Sequence, residues 1–286
     1  MSLSSWGLDD FKDAMDAAGL STCDTVIPDG RLHRFRVQGD KAGSRNGWYI
    51  LYGDGIPAGS FGCWKRGVSQ TWCTKAESVM TPAERQEFSR RMQDVCKARG
   101  IENRERKKEA AKKATAIWKA APVASDSHPY LKKKAVRSHG LRLYKNALVV
   151  PLRDAAGTLH SLQFIDSDGH KRFLSGGRIA ECYYPIGKLS DTLCICEGYA
   201  TAASIYEATG YAVAVAFNCG NLLAVSQVLR RKYPDTKLVL CADNDTQTDG
   251  NPGLTKAKEA AAAVSALLAV PPCHGDFNDF LHGGTP

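Results

Sequence analysis

No stretch of this chain approaches the roughly 18 consecutive apolar residues that a membrane-spanning helix needs. The opening MSLSSWGLDD also lacks the pattern of a signal peptide. Both absences point to a cytoplasmic protein with no membrane partner. Ten cysteines are present, yet no two stand in a CxxC pair, the spacing of zinc knuckles and redox motifs. The two nearest, Cys194 and Cys196 in DTLCICEG, alternate with Leu193 and Ile195 and read as part of a buried strand. Cys219 and Cys241 have similarly apolar neighbours, while Cys63, Cys73 and Cys96 are too irregularly spaced to define a metal site. Reduced, structural thiols and no zinc are the expectation.

What is present is an ordinary globular composition with an uneven charge. The 286 residues suffice for one large domain or two small ones, with 43% hydrophobic and 24% charged residues. The formal net charge is +8, but 81–145 carry 18 Lys/Arg against 7 Asp/Glu, whereas 190–286 carry 6 against 10. A basic middle beside an acidic end suits a polyanion partner together with a site for metal cations.

Along the chain, DDFKDAMDAAGL reads as a short helix with Phe11, Met15 and Leu20 apolar and Gly19 as its stop. RLHRFRV, GWYILYGDG, AGSFGCWKRG and SQTWCTK then form a small β-rich module ending near residue 76. Its aromatics Trp48, Tyr49, Trp64 and Trp72 interleave with Arg34, Arg36, Lys65 and Arg66. Such a pattern stacks and neutralises single-stranded nucleic acid, or else the tryptophans are simply the core of a small module. From Thr81 a long basic helix is predicted, opened by Pro82 and Glu84 as a capping box, poor in apolar residues and so loosely packed or bridging.

Beyond it, ALVVPL and LHSLQFI read as strands around the turn RDAAG, and DSDG as a second turn before KRFL. From Leu193 the pattern becomes strand and helix in alternation. LCIC, YAVAVAF and KLVLCA are strands; GYATAASIYEATG, NLLAVSQVLRRKY and GLTKAKEAAAAVSALLA are helices. Near-continuous apolar strands in that order predict a parallel sheet with helices on both faces, an α/β fold.

Such sheets work at the carboxyl ends of their strands. Glu197 ends LCIC and precedes Gly198; Asp243 and Asp245 follow LVLCA; Asp276 and Asp279 lie in GDFNDF. In an extended chain residues i and i+2 face the same way, so Asp243 and Asp245 are expected to converge. Gathering carboxylates is repulsive unless a cation relieves it, and an all-oxygen set suits Mg²⁺ or Mn²⁺. A strand-end D-x-D taken alone reads equally well as a turn with capping aspartates.

CEGYATAASI, CADND and GDFND together resemble the Toprim domain of bacterial-type primases, topoisomerases and some nucleases. Upstream, HPYLKKKAV, LVVPLRDAAGTLHSLQFI and KRFLSGG resemble the catalytic cores of primases of phages, plasmids and integrative elements, in which a small basic subdomain precedes the Toprim fold. The N-terminal module resembles the region that in that group often takes the place of a zinc ribbon, but the paired cysteines are missing and zinc is not carried over. The resemblance implies a β-rich N-terminal module at 1–76, a basic helical linker at 77–125, a basic α+β subdomain at 126–189 and a Toprim domain at 190–286. It also implies that Glu197 is the invariant acid, acting in proton transfer or metal contact, that Asp243 and Asp245 hold catalytic Mg²⁺ or Mn²⁺, and that Asp276 and Asp279 complete the metal site.

Lys171, Arg172 and Arg178, around Gly176 and Gly177, are then candidates for template or triphosphate contact, against the plainer reading of a solvated hairpin edge. Lys132, Lys133 and Lys134 supply general attraction to a nucleic-acid backbone. His128, His139, His170 and His274 are read as packed or loop residues rather than ligands. The function implied is a DNA-dependent primase using single-stranded DNA and nucleoside triphosphates, with a replicative helicase as partner. The alternatives are a Toprim nuclease and a non-catalytic single-strand-binding module. Against a topoisomerase, these residues supply neither strand-passage domains nor an evident catalytic-tyrosine context.

Overall fold

Phe11 and Met15, four residues apart, and Leu20 beyond them are fully buried, which sets the apolar stripe of the first helix, α1 (Ser5–Ala17). The computed structural model of the chain describes residues 5–283. It divides into two units, 1–104 and 105–286. In the first, Gly19 at φ 71° ends the helix turn, and β1 (His33–Phe35), β2 (Gly47–Tyr52), β3 (Ala58–Cys63) and β4 (Val68–Cys73) form an antiparallel sheet in chain order. The Phe11 ring meets Phe61 and Trp72 edge-on, with centroids 5.4 and 5.2 Å away. Trp48 and Tyr49, expected among the stacking aromatics, are 1% and 2% exposed and belong to the interior. A four-stranded sheet with one short helix has little else with which to fill its core.

Helix α2 (Pro82–Ala120) opens with the expected reciprocal cap: the Glu84 amide donates to Thr81 Oγ1 at 3.3 Å and the Thr81 amide to Glu84 Oε2 at 2.7 Å. Its later part, in the second unit, is packed rather than loose. Ala114 and Ile117 are buried with Val149, Leu162 and Phe164. Those last three come from an antiparallel sheet of β5 (Arg142–Tyr144), β6 (Ala147–Arg153), β7 (Leu159–Ile165) and β8 (Lys171–Phe173). The short helix α3 (Pro129–Lys133) precedes it, N-capped by His128, whose Nδ1 accepts from the Tyr130 amide at 3.3 Å.

The main sheet runs in the order β13-β12-β10-β11-β9, formed by β9 (Tyr184–Ile186), β10 (Thr192–Cys196), β11 (Ala212–Val215), β12 (Lys237–Cys241) and β13 (Leu267–Ala269). β10 to β13 are mutually parallel, and β9 closes one edge antiparallel. Between them run α4 (Tyr199–Thr209), α5 (Cys219–Lys232) and α6 (Pro252–Ala263), with α7 (Phe277–Leu281) last. Alternation along β10 sorts the two faces. Leu193 and Ile195 pack with Leu222, Val225 and Leu229 of α5 and Ala257 and Ala260 of α6. Cys194 and Cys196 pack with Tyr199, Ala202 and Ala203 of α4 and with Leu148 and Val150 of the smaller sheet. Each such leucine or isoleucine is worth about 1.5–3 kcal/mol in burial.

One expected element is wrong in kind. The Ala-rich run read as helix through Ala269 stops at Ala263, and Leu267–Ala269 is the edge strand β13 paired with β12. Ser265 takes φ 51°, which breaks the helix, and the open edge of β12 offers backbone partners that outweigh helix propensity. All ten cysteines are free thiols. Among the described residues no helix is long and apolar enough to cross a membrane.

Candidate catalytic site

Glu197 emerges directly from β10 and Asp243 two residues beyond β12, the strand beside it, so the chain delivers two acids to one end of the sheet. Gly253, in the first turn of α6, lies between them. A Cβ on Gly253 would stand 3.2 Å from Glu197 Oε1 and from the Asp243 carbonyl oxygen, and 3.3 Å from Asp243 Cβ. The third acidic motif is tied to the second through main chain: Asn244 and Gly275 exchange amide hydrogen bonds of 2.8 and 3.0 Å. That bridge sets Asp276 beside the D-x-D.

The electrostatics single out Asp243. Burial, then the negative charges of Glu197 and Asp276, push its carboxyl up to about 7, only partly offset by Lys171. Burial likewise raises Glu197, against the pull of the Cys219 amide and of Lys171. The Lys171 ammonium lies 3.6 Å from the place a Cβ on Gly198 would take, so β8 directs a cation at this corner. Asp243 Oδ1 is buried and finds no hydrogen-bond partner among the described residues. An unpartnered buried carboxylate oxygen among like charges fits a divalent cation with oxygen ligands, Mg²⁺ or Mn²⁺.

The other predicted acids are differently engaged. Asp276 caps α7: its Oδ1 accepts from the amides of Asn278 at 2.7 Å and Asp279 at 3.0 Å, and its Oδ2 from Thr201 Oγ1 at 2.8 Å. Asp279 completes that capping box and pairs with Lys134 at 3.0 Å. Burial raises Asp279, but Lys134 and the Asp276 amide outweigh it and hold its carboxyl below the usual range. Asp245 is engaged elsewhere, outside the extended geometry that would align it with Asp243. β12 has ended at Cys241, and Asp245 accepts from Thr248 Oγ1 while its Oδ1 sits 3.9 Å from His274 Nε2.

Among the described residues, the His, Cys, Asp and Glu ligand atoms that gather three within 4.8 Å of one another belong to Asp166, Asp168 and His170 in the β7–β8 turn, not to the strand-end acids. There Asp166 Oδ1 already accepts from the amides of 168, 169 and 170. His170, read as a plain loop residue, therefore sits in a group able to hold a metal.

The predicted basic residues separate in the same way. Lys171 faces the acids. Arg172 lies with its guanidinium 4.6 Å over the Phe164 ring. Arg178 donates to the Ala180 carbonyl at 2.9 Å and pairs with Glu181. Lys132 and Lys133 are exposed in the last turn of α3. In the first unit, Arg34 pairs with Glu102 at 3.1 Å, Arg36 donates to the Asp40 carbonyl at 2.9 Å, Lys65 pairs with Asp40 at 2.9 Å and Arg66 donates to the Gly19 carbonyl. Trp64 is tilted against Trp48 with centroids 5.9 Å apart. Thr201, Gly253, Asn244 and Asn278 escaped the sequence reading. Thr201, Asn244 and Asn278 lay inside the motifs CEGYATAASI, CADND and GDFND, whereas Gly253 carried no signal.

Residues 192–285 match the family model described as Toprim domain. Two relatives, both DNA primase TraC from Escherichia coli, are 33% identical over 283 residues and 32% over 285, each alignment covering 92% of this chain. The chain spans 26% and 19% of their length. The primase fragment of the bacteriophage T7 primase–helicase protein superposes with a TM-score of 0.42 at 15% identity, over 57% of this chain and 76% of that one. The segment 192–285 is therefore a Toprim domain, in a chain similar to DNA primase TraC over 92% of its residues.

Proposed function

We propose that the chain is a DNA primase that makes short RNA primers on single-stranded DNA by nucleotidyl transfer assisted by Mg²⁺ or Mn²⁺, serving the replication of a mobile element or phage. The observation that carries this is the buried, unpartnered Asp243 Oδ1, set with Glu197 at adjacent strand ends and faced by Lys171. In this reading Glu197 and Asp243 hold the cation, with Asp276 adjoining and Asp245 at the rim. The bound ion supplies neutralisation of the phosphate charge that builds as the nucleotide is transferred.

Where Glu197 does not ligate the cation, its raised proton affinity suits it instead to proton transfer beside the reacting oxygens. Lys171 binds the triphosphate as a point charge, and Arg172 and Arg178 contact phosphate at the hairpin edge. The N-terminal unit contacts nucleic acid through Arg34, Arg36, Trp64, Lys65 and Arg66, and a replicative helicase is the partner. Similarity to DNA primase TraC supports this reading.

The test is primer synthesis on single-stranded templates by Glu197→Gln and Asp243→Asn, with Mg²⁺ and with Mn²⁺. Loss in both variants is expected, and full activity in both would sink the mechanism. Shortening of labelled single-stranded DNA with metal and no nucleotide would assign a nuclease instead.

A further inference from the structure

The end of the β11–α5 connection and the first residues of α5, FNCGN at 217–221, were given no role by their sequence, yet they reach the Glu197 side of the acidic corner. Phe217 has φ 75°, a left-handed conformation that a bulky residue holds only under constraint. Its amide donates to the Glu197 carbonyl at 2.8 Å, and its ring meets Phe173 of β8 edge-on at 6.2 Å. Two residues on, the Cys219 amide faces the Glu197 carboxylate.

Asn221, only 4% exposed, reaches the other way. Its Oδ1 accepts from the Glu181 amide at 2.9 Å. Its Nδ2 is shared among the carbonyls of Ile179 at 3.2 Å, Cys182 at 3.0 Å and Ala216 at 2.9 Å. Three of these four partners lie in the segment 179–182, which includes Glu181 at φ 63° and follows directly on Arg178. Arg178 is fastened to that same segment through Ala180 and Glu181. One buried amide thus holds a short loop against the turn that also supports Glu197. A buried amide that satisfies so many main-chain groups fixes one geometry, because any shift strands several of them at once.

We infer that Asn221 is a positioning residue, fixing the loop that bears Arg178 at a set distance from Glu197 so that phosphate groups meet the guanidinium and the acids together. The inference rests on the proposed role of Arg178 in phosphate contact. A plainer role, in which Asn221 merely stabilises the fold, makes a different prediction: its loss would lower stability without acting through Arg178.

The experiment compares the full chain with Asn221→Ala, Arg178→Ala and the double variant. It measures ATP affinity with Mg²⁺ by titration, Mn²⁺ affinity without nucleotide, and amide hydrogen exchange across 179–182. Asn221→Ala is expected to speed that exchange at least tenfold and weaken ATP about tenfold, with Mn²⁺ affinity within twofold of the parent. The double variant is expected to bind ATP no more weakly than Arg178→Ala.

Multiplicative losses in the double variant, or unchanged ATP affinity in Asn221→Ala, overturn the inference. So does wild-type ATP affinity in Arg178→Ala, whereas primer synthesis that depends on Glu197 would leave the proposed function standing. If Asn221→Ala does not fold, Asn221→Ser retains a hydroxyl and carries the same comparison at smaller amplitude.

Discussion

Lys134 Nζ lies 3.0 Å from Asp279 Oδ1, joining the residue that follows α3 to the capping box of α7. The carboxylate expected to complete a metal site is therefore occupied twice over, by a lysine and by the Asp276 amide. Asp279→Asn should lower stability by about 0.5–2 kcal/mol, the usual range for a lost cap, while leaving Mn²⁺ affinity within about twofold. Asp243→Asn should abolish Mn²⁺ binding. Thermal melts and Mn²⁺ titration followed by electron paramagnetic resonance distinguish the two, and equal losses of affinity would return Asp279 to the ligand set.

Asp243 gives the fold a pH dependence with a definite sign. Its carboxyl is pushed to about 7 in the folded chain from an ordinary 3.8, so the folded state binds the proton more tightly than the unfolded one. The stability this contributes is complete below about pH 4 and is lost as pH climbs through 7. Glu197, also raised, acts in the same direction. In EDTA the melting temperature should fall between pH 5 and 8, and the fall should be smaller in Asp243→Asn. Mg²⁺ should raise it by more at pH 8 than at pH 5. A flat profile in the metal-free wild type would contradict the burial of this acid.

Gly253 matters for its missing side chain. The positions 3.2 Å away are a carboxylate oxygen and a main-chain carbonyl, and the carbonyl has little freedom to yield. Gly253→Ala gains up to about 1 kcal/mol of helix propensity in α6, so the fold should survive with a melting temperature within a few degrees of the parent. Mn²⁺ affinity should fall at least tenfold, because Glu197 and Asp243 are spread apart. Unchanged affinity would mean that the two acids act independently.

Much of this was legible because burial writes itself into composition. β10, β11 and β12 are short, largely apolar runs of four or five residues, and the acids that follow β10 at once and β12 after one more alanine mark the working end of the sheet. What was not legible depends on partners distant in sequence. β13 is a strand only because β12 lies beside it, and Leu267 and Leu268 continue an alanine-rich helical pattern. Asp243 and Asp245 look equivalent on paper, yet one sets a buried carboxylate oxygen near Glu197 and the other is held by Thr248, because the strand ends at Cys241, before either acid, and the alternation of an extended chain no longer governs them. The interleaved aromatics of the first unit fit both a stacking surface and a core, and only packing distinguishes Trp48 from Trp64.

Lys171 supplies the final test, since its charge is the force opposing the rise at Asp243. β8 pairs with β7 through Lys171 opposite Ile165, so the side chain projects from a fixed strand rather than a free loop. Removing the ammonium in Lys171→Met withdraws a favourable interaction with the ionised carboxylate only. The Asp243 midpoint should therefore move above 7, and the metal-free variant should lose stability relative to wild type above pH 7 but not at pH 5. The carboxyl carbon shift of Asp243, followed by nuclear magnetic resonance across that range, reads the midpoint directly. A midpoint that stays put or moves down would show that Lys171 points away from the acids, and its proposed hold on the triphosphate beside them would go with it.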